Sequence, residues 1–437
     1  MKKYRALVPV VMIVVMVASW YLLVKDAVMV ENQYNSYLTE ARKYAENGIT
    51  KYAIENYNLA LEIKSSPDVY VEVAEYYKSQ EKDAEYLAWC ENFFETYPTE
   101  KVAYDCVLDA YLENKDYESC YDILETAEKR NITSDNIKKI SKEIKYVYKL
   151  DFNTYENVGI YSNNYCPVAS KGAWGYVDRY GNQRIACKYL EVGAYTQTNF
   201  TSVVNSDNEA YFIDKTGSKV MVAKEKYASF GLLVNDIIAA KKTDGKYTYV
   251  NSDFEVLFGD YDYASTMNNG VAAVKSGDTW QIIDDSGKTI TDKKYVDVIR
   301  DEKQIAFRND RLFVATETGK YIMINSSGKQ IGSLVFEDAR LFTGDAPAAV
   351  KIDGKWCYVD SDGKKISDKT YNDARSFANG LAAVCIDGKW GFVDETEKIV
   401  IEPTFFGAKD FNEKGSCFVQ TGDKWQLLKL YRLNRED

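Results

Sequence analysis

An aromatic residue returns at nearly constant spacing through the C-terminal two thirds of this 437-residue chain. Neighbouring members are 33 to 41 residues apart. Self-similarity at this period indicates a small unit that cannot bury its apolar face alone and is stabilised by its neighbours. The eight positions are Trp174, Tyr211, Tyr247, Trp280, Tyr321, Trp356, Trp390 and Trp425.

The repeat is clearest in the two copies that begin at Phe342 and Phe377. In the second copy, LAAVCI is followed by Asp387-Gly388 and then KWGFVD, a strong signal for a β-hairpin. An acid or amide followed three residues later by glycine, as at Asp214 and Gly217, predicts a second tight turn. Between units, Tyr371 with Ala374 and Phe377 predicts a short closing strand.

These motifs, YxxAxxF, GLAAV, DGKWG(F/Y)VD and DxxG, together resemble the bacterial WG-repeat family over residues 156–432. The literal Trp-Gly pair survives at Trp174-Gly175 and Trp390-Gly391. Four short strands in each of eight units predict a β-propeller of about seven or eight blades, with an open β-solenoid or a pair of smaller propellers as the alternative. The first and last units are incomplete, and we expect them to complete one another if the ring is closed. The recurrent aromatic residues are expected to form the structural core between units.

Residues 34–150 have apolar positions at helical spacing and an approximate period of 34 residues, so they are predicted to be paired helices. The segment NGITKYAIENYNLALEI resembles a tetratricopeptide repeat, and the stretch from Ser134 resembles a capping helix. The resemblance implies a peptide-binding groove on the first helices, although the same charges also fit a solvated face. The implied groove residues are Arg42, Glu75, Lys78, Asp105 and Asp109.

An apolar run lies near the N-terminus, and residues 6–25 are predicted to form a transmembrane signal anchor. Lys2, Lys3 and Arg5 outweigh Lys25, so residues 1–5 are expected in the cytoplasm and the bulk of the chain outside, in a single-pass protein of the cell membrane. A cleaved signal peptide is the alternative.

Composition removes several classes of function. The chain has no histidine, the commonest general base and a usual zinc ligand. Its formal net charge of -11 argues against nucleic-acid binding. Its eight cysteines form no CxxC pair and are expected to be buried free thiols. The repeated aspartates fit turns better than a metal site, so no metal or cofactor is expected.

The fold class that follows is an α+β multidomain protein: a transmembrane helix, a helical solenoid and an all-β repeat array. The function predicted from this organisation is a non-enzymatic, membrane-anchored, extracytoplasmic scaffold that binds a protein or peptide partner at the cell envelope. An alternative is a protein that binds carbohydrate or cell-wall polymer through surface tyrosines. A third is a glycan hydrolase that uses carboxylates alone.

Overall fold

The computed structural model of the protein describes residues 7–432. They divide between Lys145 and Tyr146 into two compact units. The first unit is helical and the second is built from β-strands.

The helical unit contains three helix pairs and a shorter last helix. The helices are α1 (Leu7–Glu46), α2 (Thr50–Ile63), α3 (Pro67–Ser79), α4 (Asp83–Thr96), α5 (Lys101–Glu113), α6 (Tyr117–Lys129) and α7 (Asp135–Glu143).

Small and aromatic residues alternate along the buried faces of these helices, as the sequence pattern predicts. In α2, Ala53, Tyr57 and Ala60 are buried one turn apart, which lets a neighbouring helix approach closely. In α6 the corresponding small residues, Cys120 and Ala127, are buried as well. Residues 34–143 are therefore helical for the reason expected, the burial of one apolar stripe per helix.

The predicted transmembrane anchor at residues 6–25 is wrong. Within the part of the chain that the structure describes, no helix is both long enough and apolar enough to cross a membrane. Helix α1 continues without a break through Lys25, Asp26 and Glu31 as far as Glu46. The predicted single-pass location at the cell membrane is corrected with it, and the cytoplasmic segment 1–5 lies outside the described residues.

The expectation that all cysteines are free thiols is also corrected. Cys90 of α4 and Cys106 of α5 form a disulfide, with their Cα atoms 5.6 Å apart. Nothing in the spacing of these cysteines indicates the pair, because the two residues meet only when the two helices pack side by side. The other six cysteines are free thiols, and five of those six are buried.

The second unit is a β-propeller of eight blades. Each blade begins with a short inner strand, A, and continues outward through strands B, C and, where present, D. Blade 1 contains β2 (Asn157–Val158), β3 (Tyr165–Ser170), β4 (Ala173–Asp178) and β5 (Gln183–Tyr189). Blade 2 contains β6 (Glu191–Val192), β7 (Thr201–Val204), β8 (Ala210–Ile213) and β9 (Lys219–Met221). Blade 3 contains β10 (Tyr227–Phe230), β11 (Ile238–Lys242), β12 (Tyr247–Val250) and β13 (Val256–Tyr261).

Blades 4 and 6 have three strands, and isolated bridges take the place of the fourth. Blade 4 contains β14 (Tyr263–Ala264), β15 (Val271–Ser276) and β16 (Thr279–Asp284). Blade 5 contains β17 (Asp297–Val298), β18 (Leu312–Glu317), β19 (Lys320–Ile324) and β20 (Gln330–Phe336). Blade 6 contains β21 (Asp338–Ala339), β22 (Ala348–Ile352) and β23 (Lys355–Val359). Blade 7 contains β24 (Asp373–Ala374), β25 (Leu381–Ile386), β26 (Lys389–Asp394) and β27 (Ile399–Phe405).

The ring is closed by a strand from the other end of the unit. Blade 8 contains β28 (Gly407–Ala408), β29 (Ser416–Gln420) and β30 (Trp425–Leu430). Its outermost strand is β1 (Tyr148–Tyr155), which pairs antiparallel with β30. The incomplete ends therefore complete one another, and β1 belongs to the propeller although its first residues fell within the predicted helical region. The open solenoid is excluded because the first and last segments share one sheet.

The two predicted turns recur around the ring. At the B–C hairpin of blade 7, Asp387 and Gly388 both have positive φ, 50° and 77°, as a two-residue hairpin loop requires. At the C–D turn of blade 2, the Asp214 carboxylate accepts from the backbone N–H groups of Thr216 and Ser218 at 2.8 and 3.0 Å. Gly217, at φ 85°, closes the same turn. Here the repeated aspartates hold turns together.

The glycine of the Trp-Gly pair has a steric reason. A Cβ on Gly391 would lie 2.5 Å from the carbonyl oxygen of Ile401, and one on Gly175 would lie 2.4 Å from that of Ile185. In both blades the register of strand D shifts beside the glycine, which brings the backbone of strand D close to strand C. Only glycine fits at this approach without movement of the backbone.

The repeated aromatic residues lie next to the contacts between blades. Tyr211, Trp280, Tyr321 and Trp356 are buried, whereas Trp174, Tyr247, Trp390 and Trp425 are half-buried. Trp356 and Tyr371 of blade 6 pack in one cluster with Phe377 and Val384 of blade 7. A similar cluster joins blade 8 to blade 1 through Phe418, Leu427, Val158 and Val168. Apolar contacts between neighbouring blades are therefore also present between blade 8 and blade 1, where the ring closes.

Candidate functional site

The residue that follows strand A lies at one defined place in every blade. Its backbone N–H donates to a carbonyl of strand B in all eight blades, at 2.8 to 2.9 Å. We call this place the lumen position, because seven of its eight residues line one of two cavities at the propeller axis. From blade 1 to blade 8 the lumen positions are Gly159, Gly193, Gly231, Ser265, Ile299, Arg340, Arg375 and Lys409.

The lumen positions divide the ring into two unlike halves. Blades 1 to 4 place glycine or serine there, which leaves space beside the inner strands. Blades 6 to 8 place Arg340, Arg375 and Lys409 there, so three consecutive blades direct long cationic side chains toward the axis. A protein with a formal net charge of -11 therefore concentrates positive charge in one half of its axial channel.

The loop between strands A and B of blade 5 reaches across this channel. It contains 13 residues, 299–311, whereas the other blades use six to eight. Asp301 organises its tip by accepting from the backbone N–H groups of Lys303 and Ile305, each at 2.9 Å, and Arg308 holds the other Asp301 oxygen at 2.6 Å. We call residues 301–305 the axial turn. Its backbone is joined to blade 4 because Thr266 N–H donates to the Gln304 carbonyl at 2.8 Å.

Two side chains of the axial turn contact blades on other parts of the ring. The Glu302 carboxylate accepts from Lys409 Nζ of blade 8, at 2.9 and 3.0 Å, and lies 3.5 Å from the guanidinium of Arg375 of blade 7. Lys303 Nζ donates to the backbone carbonyl of Tyr161 in blade 1, at 3.2 Å. Within the described part of the chain, no carboxylate lies within ion-pair distance of Lys303.

The strongest ion pair of the site joins the last two blades. Arg375 binds both carboxylate oxygens of Asp410, through Nε at 2.5 Å and Nη2 at 3.0 Å. Burial raises the pKa of Asp410, but the Arg375 charge and hydrogen bonds outweigh this and hold the pKa below its usual range. Burial lowers the pKa of Lys303, and the nearby Arg308 charge lowers it further.

These side chains line a large cavity. The A–B loops of all eight blades surround a volume of about 1200 Å³. A second cavity of about 570 Å³ lies beside the glycine lumen positions of blades 1 to 3. Glu302 and Lys303 line both cavities, so the axial turn stands where the two meet.

Asparagine side chains tie neighbouring A–B loops together around the larger cavity. Asn268 Nδ2 of blade 4 donates to the Phe307 carbonyl of blade 5, and Asn379 Nδ2 of blade 7 donates to the Phe411 carbonyl of blade 8, both at 2.7 Å. Asn163 makes the equivalent contact from blade 1 to blade 2. The mouth of the cavity is therefore a connected rim rather than a set of independent loops.

The predicted groove residues all belong to the helical unit, and four of the five contact other side chains of that unit. Arg42 binds both oxygens of Glu72, at 2.8 and 2.9 Å, and that guanidinium lowers the pKa of Glu72. Lys78 pairs with Glu113, Asp105 accepts from Ser134, and Asp109 accepts from Asn136 at 3.0 Å. Glu75 is exposed. The stretch from Ser134 thus contacts part of the surface that the tetratricopeptide resemblance assigns to a ligand.

No group of three or more Cys, Asp or Glu residues suited to a metal ion occurs in residues 7–432. The axial residues were missed at the level of sequence, although one signal pointed to them. The spacing between Trp280 and Tyr321 is 41 residues, the longest of the series, and the extra residues are those of the blade 5 loop.

The fold and its turns define an eight-bladed β-propeller, and part of it matches a known repeat family. The family model described as the WG containing repeat matches residues 247–280, 323–356, 358–390 and 390–425. All four matched segments end on a tryptophan of strand C, so the sequence repeat is offset from the structural blade and each copy links one blade to the next.

The solved structures that match the chain have low sequence identity to it. BamB from Moraxella catarrhalis is 12% identical, with a TM-score of 0.43, over 65% of this chain and 100% of its own. PorZ, a surface component of the type-IX secretion system of Porphyromonas gingivalis, is 11% identical with a TM-score of 0.34, over 66% of this chain. The match spans only 38% of PorZ. The WD40 propeller domain of Doa1 is 12% identical with a TM-score of 0.31, over 65% of this chain and 97% of its own. No curated protein matches the chain significantly.

Proposed function

We propose that the protein is a non-enzymatic scaffold that binds a protein or peptide segment at the axial mouth of the propeller. The observation that carries this proposal is the convergence of eight A–B loops on one cavity of about 1200 Å³. This volume exceeds the roughly 300–1,000 Å³ of small-molecule sites. A peptide segment or a protruding loop fits such a mouth.

The lining supports this kind of ligand. Asparagine and charged side chains are both among the residues that line the cavity, so a polypeptide finds both donors and acceptors. The contacts between adjacent loops preorganise the rim, which reduces the entropy lost on binding. The helical unit adds a second surface of the kind that binds proteins, although four of its five predicted groove residues already have internal partners.

The alternative of glycan binding through surface tyrosines has less support. A stacking platform needs exposed aromatic faces, and in residues 146–432 every described tyrosine is buried or half-buried. The repeated aromatic residues are next to blade contacts rather than arranged along an open surface.

Site-specific photocrosslinking tests the proposal. A photoreactive residue at Thr198, exposed at the mouth, is compared with one at Val222, which is 60% exposed and outside both cavities. We expect Thr198 to capture a defined protein that Val222 does not capture, and the purified captured protein to bind the full chain. Equal capture at both positions, or no binding by the purified protein, would contradict the proposal.

A further inference from the structure

We propose that the axial mouth selects an acidic peptide segment, and that Glu302 occupies the place of the incoming carboxylate when no partner is bound. This inference rests on the proposed function and deepens it, because it names the chemistry of the bound segment. The argument concerns three cations, Arg375, Lys409 and Lys303, and the one carboxylate that separates them.

Glu302 differs from the other carboxylates of the site. Asp410 and Asp301 each belong to a tight pair with an arginine, and both also lie in positions set by strands or turns. Glu302 extends from the tip of the axial turn to two cations on blades 7 and 8, and 38% of its side chain is exposed, against 15% for Arg375 and 16% for Lys409. It is thus the accessible partner in a cluster whose cations are mostly covered.

The charge around Glu302 favours a second carboxylate in its place. Arg375, Lys409 and Lys303 carry three positive charges near the axis, and Asp410 neutralises one of them. When Glu302 moves away, two uncompensated positive charges remain in a partly desolvated site, where an anion binds more strongly than at an open surface. An aspartate or glutamate of a partner would make the same contact to Lys409 and a closer one to Arg375.

The cavity geometry agrees with a peptide that enters from the mouth. The larger cavity opens among the A–B loops, and Glu302 lines both this cavity and the smaller one beside Gly159, Gly193 and Gly231. A segment that replaces Glu302 therefore has room beyond the cations, in the half of the channel where the lumen positions have no side chain. Blades 6 to 8 would then recognise the charge of the bound segment, and blades 1 to 3 would provide room for it.

Binding of a labelled acidic peptide to the full chain tests this inference. The probe is fluorescein-labelled hexaglutamate, measured by fluorescence anisotropy, with hexaglutamine as the uncharged control. Glu302→Gln removes the internal competitor, and we expect it to tighten hexaglutamate binding about tenfold, since the fraction of open sites sets the apparent affinity. The matched control is Glu413→Gln, which removes an equal charge at the same mouth from an exposed residue outside the cation cluster. We expect Glu413→Gln to change hexaglutamate binding less than about twofold, because a charge at that distance is screened by solvent and salt.

A second variant keeps the result interpretable. Adding Lys409→Met to Glu302→Gln should reverse the gain, while circular dichroism shows that the fold is retained. Equal gains in Glu302→Gln and Glu413→Gln would overturn the inference, as would a Glu302→Gln protein that binds inorganic phosphate but not hexaglutamate. Failure of hexaglutamate to bind Glu302→Gln would also overturn it, yet specific capture from Thr198 would still stand. The two proposals therefore fail in different experiments.

Discussion

The two units of the protein are each built from successive packed elements, helices in one and blades in the other, but they end in different ways. The helical unit is an open array, and its last pair is followed by a short helix, α7, whose Ile137 and Ile140 are buried. The propeller is a closed array in which β1 supplies the last strand of blade 8. An open array leaves an end that needs a cap, whereas a closed array makes its first and last units neighbours. We therefore expect changes at the closure of the ring to cost more stability than changes at the helical cap.

Loss of the closing strand is the largest expected effect. A fragment of residues 157–437 lacks β1 and leaves the edge of β30 unpaired, while a fragment of residues 146–437 retains it. We expect the shorter fragment to lose more than about 4 kcal/mol of its free energy of unfolding, a loss that single substitutions rarely reach. Urea denaturation followed by circular dichroism compares the two fragments. Equal urea midpoints of the two fragments would show that closure of the ring contributes little to stability. The proposed difference between the closed propeller and the open helical unit would then be wrong.

The contact between blades 7 and 8 provides the next largest effect. Arg375→Met leaves Asp410 without its bidentate partner, and we expect a loss of about 3 kcal/mol, because removing one member of a buried ion pair leaves an uncompensated charge. The matched variant at the helical array is Arg42→Met, which removes a bidentate pair whose arginine side chain is 55% exposed. We expect that exposed pair to be worth less than about 1 kcal/mol. Similar losses would mean that ring and solenoid depend equally on their ion pairs.

A change of pH tests the same ion pair between Arg375 and Asp410 without altering the size of either side chain. Because the pKa of Asp410 is lower in the folded protein than in the unfolded chain, its ionised form stabilises the fold. This contribution is complete above the unfolded pKa, near 4, and is lost as pH falls through the folded pKa. Asp410→Asn should therefore reduce the difference in stability between pH 6 and pH 3. An unchanged difference would assign the acid sensitivity to other carboxylates.

A smaller effect is expected at the glycine of the Trp-Gly pair. Gly391→Ala places a Cβ 2.5 Å from the Ile401 carbonyl oxygen, and the strand must move, at a cost of about 2 kcal/mol. Cys357→Ala is the control, since Cys357 follows Trp356 in blade 6, which lacks a paired fourth strand. Thermal unfolding of both variants distinguishes a steric need from a general sensitivity of this position. A Gly391→Ala protein as stable as the wild type would refute the steric explanation.

The sequence predicted the repeat, the turns and the closure because each depends on contacts that are local or recur with a fixed period. Asp387-Gly388 specifies its hairpin through positive φ values, wherever the blade lies in the ring. The anchor prediction at residues 6–25 rested on an apolar run closed by Lys25 and Asp26, and it is wrong because no described helix is long and apolar enough to cross a membrane. The disulfide between Cys90 and Cys106 was missed because the pairing depends on how two helices pack.

The candidate site was missed for a related reason. Arg340, Arg375 and Lys409 each look like ordinary surface charges when their repeats are considered separately. Only a closed ring brings the three positions to one axis and places the axial turn of blade 5 opposite them. Comparing the lumen position across the aligned repeats would have revealed the change from glycine to cation. The meaning of that change depends on the number of blades and on closure.

The smallest effect is expected at the open end of the helical array. The Ser134 hydroxyl accepts from the Ile137 N–H at 2.9 Å and caps α7, so Ser134→Ala should cost about 1 kcal/mol. Ser134 also contacts Asp105, whose pKa is raised mainly by burial. Asp116→Ala is the control, because Asp116 caps the internal helix α6 through the Ser119 N–H at 3.1 Å. Hydrogen exchange should show that Ser134→Ala increases opening of α7 alone, while Asp116→Ala affects α5 and α6 together. If Ser134→Ala instead opened the whole helical unit, α7 would be an integral member of the array rather than its cap.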